Sequence, residues 1–291
     1  MYVVAGATGN TGSVVLEKLV AAKKQVRVLV RDEKKAVALR ARGAEVVAAS
    51  VDDPAALAAA IRGAEGLYTL LPPDVTDPDP FGRTGRFTDA LVRALDGSGV
   101  RHVAFLSSIG AQHPTGTGPI RTLHNAEKKL RAQRVPVTFI RAASFIENWG
   151  SGLAPAAKDG VLPTFERPET VFAQVATHDI GLVAAEALLD PAAAHRTIEL
   201  AGPVDLSPAD IARTLSTILG RDVSPHYIPQ DQVVPTFTSF GVSEATAELF
   251  REMAKGVDDR HVAWEGPAAN VVRGKTTAET VLRGLLARSA A

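Results

Sequence analysis

Apolar residues in the first half of the chain fall into short runs separated by stripes at helical spacing. Residues 2–5 form an apolar run suited to a buried strand, and Val14, Val15, Leu16, Leu19 and Val20 follow at helical spacing. Runs at 25–30, 44–49, 66–71, 102–106 and 137–141 read as further strands, with helices over 87–96 and 120–133 among those between them. Strands alternating with helices predict an α/β fold: a doubly wound parallel sheet with right-handed crossovers. Past residue 150 the texture changes. Gly and Pro become frequent in SGLAPAAKDGVLP, after which 177–189, 208–219 and 243–255 read as helices and 197–201 and 223–228 as strands. The chain closes with an apolar-striped helix through Val281, Leu282 and Leu285.

The turn after the first strand carries the first chemical signal. Gly6, Gly9 and Gly12 stand at three-residue spacing between strand and helix, with Thr8, Asn10, Thr11 and Ser13 as polar donors around them. Glycines there let backbone N–H groups approach a pyrophosphate, and the helix start adds its positive end. An ordinary strand-to-helix turn is the rival. The arrangement predicts a Rossmann domain over 1–150, its sheet completed by strands from 171–201, with a smaller substrate or partner lobe over 151–291. Arg31 lies at the end of the second strand, close to the roughly 20-residue interval at which such folds inspect the adenosine ribose. Its guanidinium suits a 2′-phosphate and so NADP rather than NAD; Lys35 adds charge, while Asp32 could instead turn to the ribose. A solvated arginine at a strand end remains the plain alternative. Asp52 is placed to meet the adenine amino group or to cap the next helix, which Asp53-Pro54 opens.

Ligands in such sheets sit beyond the carboxyl ends of the strands. Leu71 and Pro72 after the fourth strand, Ser107 after the fifth and Ala143 after the sixth therefore join the cofactor-binding set. Ser108, Phe145, Asn148 and Trp149 at the same edge are candidate substrate contacts, although Phe145 and Trp149 would equally serve to pack the lobe. The polar, proline-rich stretch 74–85 reads as a surface loop or as a lid.

Composition narrows the function. Lys plus Arg and Asp plus Glu both number 32, a balance unlike that of a chain that coats nucleic acid or an anionic membrane. There is no cysteine, which removes thiol nucleophiles and thiolate-bound metals, and the histidines show no metal-ligand spacing. No apolar run is long enough for a bilayer span and the chain enters a strand at once, so a cytoplasmic protein, monomer or homodimer, is expected.

GATGNTG, Arg31, LSSIG, VPVTFIRAASFIENW and the closing RGKTTAE together resemble the NmrA-like family of atypical short-chain dehydrogenases/reductases. The resemblance implies NADP(H) or NAD(H) on a Rossmann domain. It also implies either reduction of quinones, dyes or other conjugated acceptors, or a silent cofactor sensor acting through a protein partner. The wider superfamily pairs a tyrosine with a lysine four residues on. Here Tyr2, Tyr68 and Tyr227 are followed at that spacing by Gly6, Pro72 and Asp231, and the positions matching the family's tyrosine and lysine hold Pro119 and Leu123. With that proton relay missing, His124 is the candidate catalytic residue, a structural role being its alternative. The absence of a GxSxG elbow argues against a hydrolase. The reading is an NADPH-dependent reductase of a small conjugated or electron-poor acceptor (quinone, enone or imine), with no direct nucleic-acid contact. A sensing regulator is the alternative.

Overall fold

The computed structural model describes residues 1–30, 36–48 and 53–289. Its centre is an eight-stranded parallel sheet in the order β12-β10-β6-β5-β4-β1-β2-β3. These strands are β1 (Tyr2–Val4), β2 (Val26–Val30), β3 (Glu45–Ala48), β4 (Gly66–Leu70), β5 (His102–Ser108), β6 (Val137–Ala142), β10 (Arg196–Ala201) and β12 (Val272–Arg273). Two short parallel pairs lie outside it. One joins β7 (Ser144–Phe145) to β9 (Gln174–Val175), the other β8 (Val161–Thr164) to β11 (Ser224–Tyr227). The helices are α1 (Asn10–Ala21), α2 (Ala36–Ala41), α3 (Pro54–Ile61), α4 (Pro80–Leu95), α5 (Ile120–Arg131), α6 (Leu153–Asp159), α7 (Thr177–Leu189), α8 (Pro208–Leu219), α9 (Gln230–Ser239), α10 (Glu244–Asp258) and α11 (Ala278–Ser289). Among the described residues none is long and apolar enough to cross a membrane.

The strands are nearly uniformly apolar because both sheet faces are covered, as parallel sheets require. On one face Leu16 and Leu19 of α1 and Ile180, Ala184 and Leu188 of α7 pack over Val4, Val28 and Ile140. On the other, Leu57 and Ile61 of α3, Phe87 and Leu91 of α4 and Leu130 of α5 pack over Val3, Val103 and Phe139. A third cluster joins Ile146, Leu153, Leu162, Ile211 and Leu282 in the C-terminal region. The order of the strands reverses between β1 and β4, whose carboxyl ends face the ligand crevice of a doubly wound sheet.

Several elements differ from the sequence expectation: α6 and β8 stand in the Gly- and Pro-rich stretch that reads as loop, and three further departures have a local cause or consequence. Helix α4 starts at Pro80 rather than at 87, because Asp79 caps it by accepting from the Gly82 N–H at 2.9 Å and Pro80 fills the first helical position. This is the same signal that Asp53-Pro54 carries at α3. Helix α9 went unread, since Pro235 within it masks the helical pattern. Strand β12 joins the sheet from near the C-terminus, beside β10. There the RGKTTAE stretch is tied down by Asp179, which accepts from the Thr276 N–H at 2.8 Å and its hydroxyl at 2.7 Å.

His102, at the start of β5, makes the fold sensitive to acid. Thr138's hydroxyl accepts from Arg196 at 3.0 Å and lies 3.0 Å from His102 Nε2, while Nδ1 is buried without a partner among the described residues. Burial, then the Arg196 charge, pushes the imidazole down from 6.5 to about 4. The unfolded chain therefore binds a proton below pH 6.5 that the folded chain refuses until about pH 4. Stability present above 6.5 is lost across that window, by on the order of 3 kcal/mol. Urea unfolding at neutral pH and near pH 4 should show this fall, and His102→Gln should flatten it. An equal fall in the variant would remove His102 as the cause.

Candidate functional site

The glycine turn lies where the sheet order reverses. Gly6 takes a φ of +68°, open to glycine at little cost. Gly9 sits at the N-cap of α1 with no side-chain cap, so the first N–H groups of the helix have no hydroxyl or carboxylate competing for them. Gly6, Thr8, Gly9 and Asn10 are exposed, whereas Gly12 and Thr11 are buried. A Cβ on Gly12 would lie 2.3 Å from the Gly6 carbonyl oxygen, so only glycine lets helix and turn approach this closely. Thr11 turns inward: its hydroxyl accepts from Tyr68 at 2.7 Å, leaving its backbone N–H at the helix start. Burial pushes the Tyr68 phenol above its ordinary range. An uncapped helix start behind an exposed glycine turn fits a pyrophosphate. Arg31, Lys35 and Asp52 lie outside the described residues.

Beyond the carboxyl ends of β4, β5 and β6 opens a cavity of about 410 Å³, within the usual range for small-molecule sites. Leu71, Pro72, Ser107 and Ala143 line it, as do the expected substrate contacts Ser108, Phe145 and Asn148. Its wall is largely apolar. Leu249, Met253 and Val257 recur at four-residue spacing on α10, with Phe250 beside them, and Phe172 adds a second ring. Sequence reasoning found α10 but not that this stripe faces a ligand space. It also missed Arg83, whose guanidinium lies 3.5 Å from Asp74 and donates to the Pro72 carbonyl at 2.7 Å, and Glu166, on the loop after β8. The stretch 72–79 is one wall of the cavity. Ser243, the N-cap of α10, holds it by donating its N–H to the Val75 carbonyl and its hydroxyl to the Asp77 carbonyl.

Beneath the floor is a buried ion cluster. Arg141 of β6 grips Glu127 of α5 with two bonds, Nε to Oε1 at 2.9 Å and Nη2 to Oε2 at 2.7 Å. Ser107 donates its hydroxyl to Glu127 Oε1 at 2.6 Å, so that proton is committed below the floor and not to a ligand above it. Burial pushes the Glu127 carboxyl up, but the bonds from Arg141 and Ser107 outweigh it and hold the group below its ordinary range.

Two expected site residues lie elsewhere. His124 is not among the cavity-lining residues. Its Nδ1 lies 2.9 Å from the Ala111 carbonyl, which can only accept, so that nitrogen carries the proton and the ring tethers α5 to the loop after β5. Trp149 also lies off the wall. Its indole donates to Gln174 Oε1 at 2.7 Å, and its ring packs on the third apolar cluster. Both have the spacing of site residues, and both turn away because a nearby polar partner satisfies them.

The chain belongs to the NmrA-like family, whose model matches residues 2–275. It is 29% identical over 255 residues to an NAD(P)H azoreductase of Xenophilus azovorans, covering 87% of this chain and 86% of that protein. Among solved structures it resembles the NADPH-dependent quinone oxidoreductase of Escherichia coli complexed with NADPH, with a TM-score of 0.81 at 23% identity over 98% of this chain and 100% of that one. A triphenylmethane reductase of Citrobacter sp., complexed with NADP(H), aligns with a TM-score of 0.81 at 21% identity over 98% and 99%. The fold is thus that of the NAD(P)-binding Rossmann reductases.

Proposed function

We propose that this protein is an NADPH-dependent reductase that passes hydride to a small conjugated or electron-poor acceptor such as a quinone or an azo compound. The observation that carries the reading is the apolar cavity at the carboxyl ends of β4, β5 and β6, on the same sheet edge as the uncapped glycine turn, which follows the neighbouring strand β1. The names of the azoreductase, the quinone oxidoreductase and the triphenylmethane reductase support the acceptor class. The exposed turn at Gly6, Thr8, Gly9 and Asn10, with the backbone of Thr11 and Gly12, would hold the pyrophosphate, and Arg31 with Lys35 would hold a 2′-phosphate. Leu71, Pro72 and Ala143 would flank the nicotinamide end, leaving Ser108, Phe145 and Asn148 with the rings of Phe172 and Phe250 for a flat acceptor. The reduced nicotinamide supplies the two electrons and the hydride. The residues here bind, orient and exclude water. Neither His124 nor a tyrosine–lysine pair has a part.

Following NADPH absorbance against quinones, enones, imines, azo compounds and triphenylmethane dyes tests this reading. Oxidation well above background with at least one acceptor is expected. None across the panel, with NADP and NADPH differing widely in affinity, would favour a cofactor sensor instead. Arg31→Ala should weaken NADPH about tenfold or more and leave NADH nearly unmoved, the loss of a charge-assisted contact worth roughly 1.5–3 kcal/mol. Equal weakening of both cofactors, read by calorimetric titration, would show that Arg31 does not reach the 2′-phosphate.

A further inference from the structure

Reduction of a quinone or an azo group needs a proton as well as a hydride, and none of the residues considered so far supplies it. Among the described residues, the titratable ones lining the cavity are Asp74, Arg83 and Glu166. Asp74 and Arg83 face each other at 3.5 Å, with Asp77 also 3.8 Å from Arg83, and Thr76 donates its hydroxyl to Asp74 at 2.8 Å. These hydrogen bonds hold the Asp74 carboxyl below its ordinary range, so Asp74 is a fixed anion. Glu166 stands apart. Among the described residues it has no cationic partner, and its carboxyl makes one side-chain hydrogen bond, Oε2 accepting from Thr164 at 3.2 Å.

The cation nearest Glu166 in sequence is engaged elsewhere. Asp258, at the end of α10, has a buried carboxyl that accepts from the Arg167 N–H at 2.9 Å and the Thr170 hydroxyl at 2.8 Å. The Arg167 guanidinium, the nearest cation in sequence, turns to the same Asp258 at 3.6 Å. Arg167 is thus spent on Asp258, and the Asp258 charge opposes a second one on Glu166. Burial raises the Glu166 carboxyl against the weaker pull of its own backbone N–H and of the Thr164 bond, and the Asp258 charge adds a smaller push in the same direction as burial. The loop is also held in place. Phe165 stacks on Phe237 at 4.6 Å, and Phe237 on the cavity-wall ring of Phe250 at 4.7 Å.

We propose that Glu166 is the proton donor to the reduced acceptor, a role that rests on the reductase reading above. Arrival of hydride on a quinone or azo acceptor leaves an oxygen or nitrogen anion, and the nicotinamide is oxidised by the same two electrons. The Glu166 O–H bond breaks as an O–H or N–H bond forms on that anion. The carboxylate left behind takes a proton from water at the cavity mouth before the next turnover. Asp74 and Arg83 are paired with each other and do not compete for this proton.

A cationic triphenylmethane dye provides the control, because hydride on its central carbon gives the neutral product with no proton needed. Glu166→Gln should lower kcat with a quinone by on the order of a hundredfold. It should leave dye turnover within about twofold and NADPH binding unchanged, as no cofactor contact is removed. In the wild type, quinone turnover should fall as rising pH ionises Glu166, while dye turnover does not follow. The protein without cofactor or acceptor should show a protonated-carboxyl infrared band that persists above the ordinary glutamic-acid range and is absent from Glu166→Gln. Parallel pH profiles for quinone and dye, no such band, or equal quinone turnover by variant and wild type would overturn the assignment with the reductase reading intact. Failure of the wild type to oxidise NADPH with either acceptor would remove the reductase reading, and the donor with it.

Discussion

Arg141→Met should destabilise the protein by about 3–5 kcal/mol, because it strands a buried carboxylate. Arg141 and Glu127 each expose only 4% of their side chains, and the bidentate contact between them joins β6 to α5. Without the guanidinium, Glu127 keeps the Ser107 hydroxyl at 2.6 Å and Arg131 at 3.1 Å, and the Arg131 side chain is 38% exposed and screened by water. In a chain of this size the loss should lower Tm by on the order of 10 °C. The double variant Glu127→Leu with Arg141→Met should recover most of it, since removing both partners leaves no unpaired buried charge, and the Arg131 and Glu265 charges it frees are exposed to water. The pH dependence has a definite sign. The Glu127 carboxyl sits below its ordinary 4.5 in the folded wild type, so its contribution is complete above that pH and is lost as pH falls through the lower folded value. In Arg141→Met the buried carboxyl gains a proton readily, so the gap between variant and wild type should narrow below pH 4.5. Chemical denaturation at neutral and acid pH measures both; a cost under about 1 kcal/mol would show that the pair contributes little beyond offsetting its own desolvation.

This cluster also shows how much of the molecule was legible in its sequence. Strands β1 to β6 and the glycine turn were, because both faces of a parallel sheet are buried and these strands read as plain apolar runs. Asp53-Pro54 was read as a helix start and Asp79-Pro80, with the same chemistry, was not, because the surrounding DVTDPDPFGRTG looks like loop. The cavity was legible as far as strand order dictates it: Leu71, Pro72, Ser107, Ala143, Ser108, Phe145 and Asn148 lie at or just after strand ends, and all line one cavity. His124 and Trp149 lie off the cavity lining because spacing along the chain does not say which way a side chain turns; the Ala111 carbonyl and Gln174 hold them through tertiary contacts. Glu166 was invisible for a related reason. One acid in a loop carries no local pattern, and its burial, with the smaller push of Asp258, 92 residues further on by number, exists only in the folded chain.

Two of the turn's glycines should respond differently to the same substitution. A methyl on Gly12 would fall 2.3 Å from the Gly6 oxygen, 2.6 Å from its carbonyl carbon and 3.0 Å from the Ala7 nitrogen. All three are backbone atoms, so no flexible side chain can give way and the turn itself must move off α1. Overpacking of this kind costs about 1–3 kcal/mol and displaces the N–H groups that would face the pyrophosphate. Gly12→Ala should therefore lower both Tm and NADPH affinity, the latter about tenfold or more. A methyl on Gly9 meets only the Gly6 oxygen, at 3.3 Å, and the Gly9 backbone at φ −90° and ψ 174° suits any residue. Gly9→Ala should keep Tm within a degree or two, since the strain is small, yet weaken NADPH, because the methyl stands on the exposed side where the phosphates approach. Thermal unfolding without cofactor and calorimetric titration with NADPH separate the two effects. A wild-type Tm in Gly12→Ala would mean that the turn yields where its backbone contacts say it cannot. Unchanged NADPH affinity in both variants would move the pyrophosphate away from this turn altogether.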